Sequence, residues 1–457
     1  MAPLNLVAPH PNGIKPSGNH AMTARKSGYK PDRLGQLPDE VLFMILQLLD
    51  MSDLVSLSHT CTRLYGFSLS EELWKDLYVL HNMKCPWTGS WRSSCLRTPI
   101  TKEGVQVSNV FSDLLFKPYL NTQIDLNHYL PLPKSNLIPR YEKMSLESFK
   151  TNHVHRPFIL TAELADWPAM KSWTTEGLLD RYSGTSFRAE CVDWSLKQYV
   201  DYMRHNLDES PLYLFDSHFA QKTTQKESGR SLADDYVIPE CFDEDAFKIL
   251  GNDRPDHRWL IIGPKRSGST FHKDPNGTCA WNAVITGSKL WLMLPPDCPP
   301  PGVYVSADES EVTAPLSIAE WLTTYHRAAR SVKGFLEGVC GPGEVLYVPS
   351  GWWHLVVNLE ECIAVTQNFV PRAYIGKVLR FLREKRDQVS GFDKSIEAHT
   401  LFEERLHDIY HDEWLRLTDK PKSQWHSLTG TTQGPDEATS TPFTFGFAHE
   451  SDSDDED

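Results

Sequence analysis

Two histidines and a carboxylate held on one side of a divalent metal leave adjacent coordination positions open, the arrangement used by non-haem Fe(II) oxygenases. The chain offers such a set. His272-Lys273-Asp274 is an H-x-D pair, and on an extended strand residues two apart share a face, so Thr270, His272 and Asp274 point together while Phe271 and Lys273 point away. A third ligand should come from a separate strand much later, and His354 follows a Pro349-Ser350-Gly351 turn. Zinc is the chemical rival, since His and Asp ligate it too, although a three-ligand site favouring six-coordination suits iron better. His411-Asp412-Glu413 offers a comparable H-x-E, but in a helical stretch, where residues two apart diverge by about 200° and cannot chelate together.

The elements around these residues read as strands. From Leu260 to Pro296, β-branched and apolar runs alternate with Gly and Pro turns, and the Asp274-Pro275-Asn276-Gly277 run supports a strand ending near His272. The stretch from Gly341 to Val370 has the same character. Trp281, Trp291, Trp352 and Trp353 fit the core of such a sheet structure better than a substrate surface.

His272-Lys273-Asp274-Pro275 through Gly277-Thr278, Ala280-Trp281-Asn282 and Gly351-Trp352-Trp353-His354 carry a resemblance to the Jumonji-C family. It runs from about Ile138 to Val370 and is nearest to the branch of lysyl hydroxylases and reported arginine demethylases. The resemblance implies an α+β fold, a double-stranded β-helix (jelly-roll, cupin-like) barrel with helical additions. It also implies Fe(II) on His272, Asp274 and His354. The co-substrate 2-oxoglutarate would chelate the metal through its 2-oxo acid end and place its far carboxylate on Lys289, assisted by Thr366. Asn282, Tyr199 and Ser269 match further pocket positions. With O2, the implied reaction is oxidative decarboxylation of 2-oxoglutarate to succinate and CO2, coupled to hydroxylation of a C–H bond on a protein side chain. A methylene would give a stable alcohol, whereas an N-methyl group would leave as formaldehyde. Lysyl hydroxylation is favoured over histone demethylation.

A second module lies upstream. Leu37-Pro38-Asp39-Glu40 is a helix start, with Pro in the first turn and acids at the positive helix end. Val41, Leu42, Ile45, Leu48 and Leu49 suggest one apolar face; further helices begin at Ser52-Asp53 and near Ser70, the latter carrying Leu73, Trp74 and Leu77. Three short helices bury too little to stand alone, so a packing partner is expected. The order Leu37-Pro38-Asp39-Glu40-Val41-Leu42, Ile45-Leu46, Leu54, Leu57, Cys61, Leu64, Trp74 resembles the F-box. That implies binding to a Skp-type adaptor of a cullin-RING ubiquitin ligase, with Leu37, Pro38 and Val41 at or near the contact.

The 457 residues are then expected to divide into a disordered arm (1–30), the F-box (31–82), a connecting region (83–135), the oxygenase domain (136–375), C-terminal helices (376–420) and a disordered acidic tail (421–457). Nine scattered cysteines without a C-x-x-C pair suit reduced thiols and an intracellular location, nucleus or cytoplasm, with the nucleus favoured. A net charge of −14 argues against nucleic acid as a direct ligand and fits a basic protein substrate better. No signal core or membrane span is evident. The competing reading is a non-catalytic F-box substrate receptor whose barrel only recognises a target; loss of an iron ligand would favour it, and all three are present.

Overall fold

The computed structural model describes residues 8–19, 34, 37–98, 105–315 and 317–418. Its centre is a pair of facing sheets. The larger has nine strands in the order β1-β2-β13-β8-β15-β6-β5-β3-β4. These are β1 Arg140–Tyr141, β2 Phe158–Leu160, β3 Ser186–Ala189, β4 Val192–Ser195, β5 Leu214–Asp216, β6 Arg258–Gly263, β8 Cys279–Thr286, β13 Val345–Val348 and β15 Cys362–Phe369. The smaller has the order β12-β9-β14-β7, made of β7 Gly268–His272, β9 Lys289–Leu294, β12 Leu336–Cys340 and β14 Trp353–Asn358. A hairpin, β10 Tyr304–Val305 and β11 Val312–Thr313, stands apart. Among the described residues every strand pairing except β1 with β2 is antiparallel, and over β6–β9 and β12–β15 successive strands alternate between the two sheets, as the double-stranded β-helix requires.

Period-two alternation decides what faces the space between the sheets. On β9, Leu290, Leu292 and Leu294 pack outward with Phe271 and Trp353, whereas Trp291 and Met293 pack inward. On β8, Ala280 and Val284 face inward, and Trp281, Ala283 and Ile285 pack into the large outer cluster. Both faces are thus buried, which explains the near-continuous apolar runs. The polar residues at inward-facing positions are therefore enclosed: Lys289, Asn358, His354, Asn282 and Thr366 are each at most 8% exposed.

The upstream module has four helices, one more than expected: α1 Asp39–Gln47, α2 Met51–Ser58, α3 Thr62–Ser68 and α4 Glu71–Leu80. The chain extends at Cys61 (φ −156°, ψ 164°), which separates α2 from α3 where the leucine spacing alone shows no break. The inward face of α1 also differs from expectation. Leu42, Phe43 and Leu46 are buried, while Val41, Met44, Ile45 and Leu48 are exposed. The helix is apolar nearly all round, so periodicity could not tell which stripe faced the core.

The module is welded to the oxygenase part. Helix α5 (Trp91–Leu96) follows it, and Trp91, fully buried, donates its indole N–H to Asp208 at 3.0–3.1 Å. Tyr78 of α4 packs edge-on against Trp194 of β4, and Trp91 stacks on the same ring at 5.6 Å. Trp87 and Tyr202, the latter on α7 (Leu196–His205), complete an aromatic layer that supplies the apolar contact four small helices lack.

The expected disordered arm is corrected for residues 8–19. Lys15 bridges to Phe111, Ile14 is buried, and the Tyr119 hydroxyl donates to the carbonyls of Ala8 and Pro9. Tyr119 lies on α6 (Asp113–Thr122), so these contacts span about a hundred residues and leave no local signal. The acidic tail and the rest of the arm lie outside the described residues. Helices α8 (Ile318–Ala329), α9 (Ile375–Glu384), α10 (Ala398–Ile409) and α11 (His411–Thr418) follow. Val378 and Leu382 of α9 and Phe402 and Leu406 of α10 pack with Phe247 and Val370, placing the C-terminal helices on the barrel. Among the described residues no helix is long and apolar enough to cross a membrane.

Candidate metal and co-substrate site

Antiparallel pairing of β14 with β7 sets His354 directly opposite His272. Their ring centroids are 4.1 Å apart, and the ligand atoms of His272, Asp274 and His354 all lie within 4.8 Å of one another. Each histidine Nδ1 hydrogen-bonds a carbonyl two residues earlier, His272 to Thr270 at 2.8 Å and His354 to Trp352 at 3.0 Å. A carbonyl can only accept, so Nδ1 carries the proton and Nε2 keeps its lone pair for a metal. Burial lowers the pKa of both rings to about 4, His272 also feeling His354, and both are neutral at physiological pH.

Burial acts in the opposite sense on Asp274 and raises its pKa to about 6; its Oδ2 is buried without a hydrogen-bond partner. A buried carboxylate oxygen without a partner, beside two free imidazole lone pairs, is costly unless a cation sits there. The donor set therefore fits a divalent metal.

The two ligand-bearing turns are latched from below by α9 and the segment after it. The Lys377 ammonium donates to the Ser350 carbonyl at 2.9 Å and fills the space beside Gly351, whose φ of +78° turns the chain into β14. Asn276, in the turn after Asp274, exchanges two hydrogen bonds with the backbone of Ser390. Ser350 also donates to the Gly277 carbonyl at 2.5 Å, joining the two turns.

Deeper in the barrel, Lys289 is fully buried and donates to the Tyr213 hydroxyl at 2.6 Å and to Asn358 Oδ1 at 2.9 Å. Burial alone would lower its pKa, but Cys362 and Tyr213 more than offset this and the shift is upward. Among the described residues no carboxylate forms an ion pair with it. An ammonium has three donors, and beyond these two oxygens it meets only the Cys362 sulfur, a weak acceptor. Thr366 lies opposite Asn282 across β15 and β8 and donates to the Trp281 carbonyl at 2.8 Å; Asn282 Oδ1 is buried and unpaired. Ser269 is half-buried on β7, opposite Val356.

Tyr199 is a correction. It sits on α7, its hydroxyl placed among the carbonyls of Leu212 and Ile262 and the amide of Leu214, where it fixes the approach of β5 to β6. The tyrosine that meets Lys289 is Tyr213. Asn358 was also missed in the sequence, although it lies four residues beyond His354 and so on the same strand face.

A double-stranded β-helix with two histidines and an aspartate converging on one point, and a buried cation deeper in the barrel, defines the cupin-type class of metal-dependent oxygenases. A family model described as a cupin-like domain matches residues 146–373, and an F-box-like model matches residues 34–80. The chain is 36% identical to an Arabidopsis thaliana protein named arginine-specific demethylase JMJ22, over 97% of this chain and 90% of that one. It is 40% identical to the Caenorhabditis elegans bifunctional arginine demethylase and lysyl-hydroxylase psr-1, over 47% of this chain and 55% of that one. To the Arabidopsis thaliana lysine-specific demethylase JMJ21 it is 35% identical, over 76% of this chain and 38% of that one. The chain belongs to the Jumonji-C family of iron- and 2-oxoglutarate-dependent oxygenases and carries an F-box-like region.

Proposed function

We propose that this oxygenase acts on lysyl or methylated arginyl side chains of protein substrates and is joined through its F-box to a Skp-type adaptor. In this reading His272, Asp274 and His354 hold Fe(II). Lys289 takes the far carboxylate of 2-oxoglutarate, and Asn282 and Thr366 flank it. Bound iron supplies the activation of O2 that converts 2-oxoglutarate to succinate and CO2 and drives substrate hydroxylation. The chain's own groups fix the two imidazole tautomers, keep the carboxylate aimed at the centre, and place buried side chains around the co-substrate position, which limits the access of water. The observation that carries the reading is the unpartnered Asp274 Oδ2 beside two imidazoles that present bare Nε2 atoms.

The substrate class is supported by the relatives, whose names give arginine demethylation, lysyl hydroxylation or both. Both reactions start by hydroxylating a carbon on a long cationic side chain, so one site serves either. The adaptor reading is supported by the outward stripe Val41, Met44, Ile45 and Leu48, at spacings of three and four, with Leu37 half-buried and Pro38 exposed at its start. The test is mass spectrometry of lysine-bearing and methylarginine-bearing peptides after incubation with the iron-loaded protein and 2-oxoglutarate. A gain of one oxygen on lysine, or loss of a methyl from arginine, supports the reading; succinate formation with neither product on any basic peptide contradicts the substrate class.

A further inference from the structure

We propose that Asn358 is a positioning residue for the co-substrate: it holds the buried Lys289 ammonium in place while leaving its charge unneutralised. The inference rests on the assignment of Lys289 to the far carboxylate of 2-oxoglutarate. It follows from a chain of hydrogen bonds whose direction is forced. The Ser267 hydroxyl, 1% exposed, donates its proton to the Pro264 carbonyl at 2.7 Å. Having spent that proton, it can only accept from Asn358, whose Nδ2 lies 3.0 Å away. The amide is thereby oriented, and its oxygen faces the Lys289 Nζ at 2.9 Å. The backbone is pinned too, with Asn358 N–H on the Ser267 carbonyl and Arg266 N–H on the Asn358 carbonyl.

The residue type matters as much as the geometry. An aspartate here would have almost the same shape and would give the ammonium an internal counter-ion. A ligand carboxylate would then have to compete with it and meet like-charge repulsion in a low-dielectric pocket. Asparagine supplies the acceptor without the charge. Tyr213, the other partner, is likewise neutral, its pKa raised by burial above all. Lys289 is thus oriented from two sides by uncharged groups, and the unmet charge is what the pocket offers an anion.

The experiment compares wild type, Asn358→Asp, Asn358→Ala and Ser267→Ala, each iron-loaded under argon, and measures binding of 2-oxoglutarate and of oxalate by calorimetry. Oxalate can chelate the metal but has no far carboxylate to reach Lys289. Asn358→Asp should weaken 2-oxoglutarate about 10- to 100-fold, the range of a charge-assisted hydrogen bond, and leave oxalate within about twofold. Ser267→Ala, which frees the amide without adding charge, should weaken 2-oxoglutarate about threefold, again sparing oxalate. It carries the test if the aspartate variant does not fold. Equal 2-oxoglutarate affinity in wild type and Asn358→Asp overturns the proposal, as does a parallel loss of both ligands, which would mark Asn358 as structural only. Failure of the underlying assignment looks different: wild type would bind oxalate and 2-oxoglutarate equally well, and Lys289→Ala would change neither.

Discussion

Lys377 and Ser350 are joined by a 2.9 Å hydrogen bond from the ammonium to the carbonyl, four residues before His354, so a C-terminal helix holds the turn that delivers this histidine to the candidate metal site. With the Asn276–Ser390 pair on the other turn, the helical additions belong to the site's support rather than to its periphery. Lys377→Met should keep the fold and weaken Fe(II) binding by about 1 kcal/mol, roughly fivefold, the typical worth of one hydrogen bond. Anaerobic iron titration checks this, and affinity equal to wild type would remove Lys377 from the support of the site.

The aromatic layer between the F-box and the barrel has a mechanical consequence. Trp91 lies between Tyr78 of the F-box side and Trp194 of the oxygenase side, and its indole is tied to Asp208. Both parts should unfold in one cooperative transition, and Asp208→Asn should lower stability by about 1–3 kcal/mol through the weakened acceptor for Trp91 and Tyr202. Two separated calorimetric transitions in wild type would show that the modules are independent.

The same interface gives stability a pH dependence. Glu71 accepts the backbone N–H of Trp91 at 2.5 Å and that of Arg92 at 3.3 Å, and burial first, then the charge of Asp208, raises its pKa from 4.5 to about 7. Between those values the folded protein keeps a proton that the unfolded chain has released, so the slope of unfolding free energy with pH is negative. The contribution is fully present below about pH 4.5 and is lost as pH rises through 7. Replacing Glu71 by Gln should remove a slope worth on the order of 3 kcal/mol across that window, read from urea unfolding at pH 5 and pH 7.5. Parallel pH profiles for the two proteins would exclude Glu71 as the origin.

Adaptor binding and oxygenase chemistry should be separable. Met44 and Leu48 are 65% and 85% exposed and face away from the aromatic layer. The double substitution Met44→Asp, Leu48→Asp should abolish capture of a purified Skp-type adaptor, a loss of at least about 2 kcal/mol for two buried apolar anchors, and leave succinate formation unchanged. Undiminished capture would place the contact on another face.

Local periodicity made the metal set legible. His272 and Asp274 share a strand face, the Gly and Pro turns mark the strand ends, and His354 stands after such a turn. Lys289 is singled out by its neighbours in the motif, and the structure buries it. What failed was what depends on distant pairing. Tyr213 reaches Lys289 only because β5 lies beside β6, and nothing near Tyr199 shows that its hydroxyl is occupied by three backbone groups. The docking of residues 8–19 on α6 and the choice of buried stripe on α1 are likewise set by tertiary contacts. Asn358 was within reach, since His354, Val356 and Asn358 alternate on one face; an inward amide on an otherwise apolar strand is the signal to look for.

The most direct measurement is succinate formed from 2-oxoglutarate and O2 by the iron-loaded protein, beside His272→Ala and Asp274→Ala prepared in the same way. Iron-dependent succinate in wild type and its loss in both variants, with their folds intact by circular dichroism, is the expected result. Folded, iron-loaded wild type that neither forms succinate nor binds 2-oxoglutarate would instead make the barrel a recognition surface on an F-box receptor.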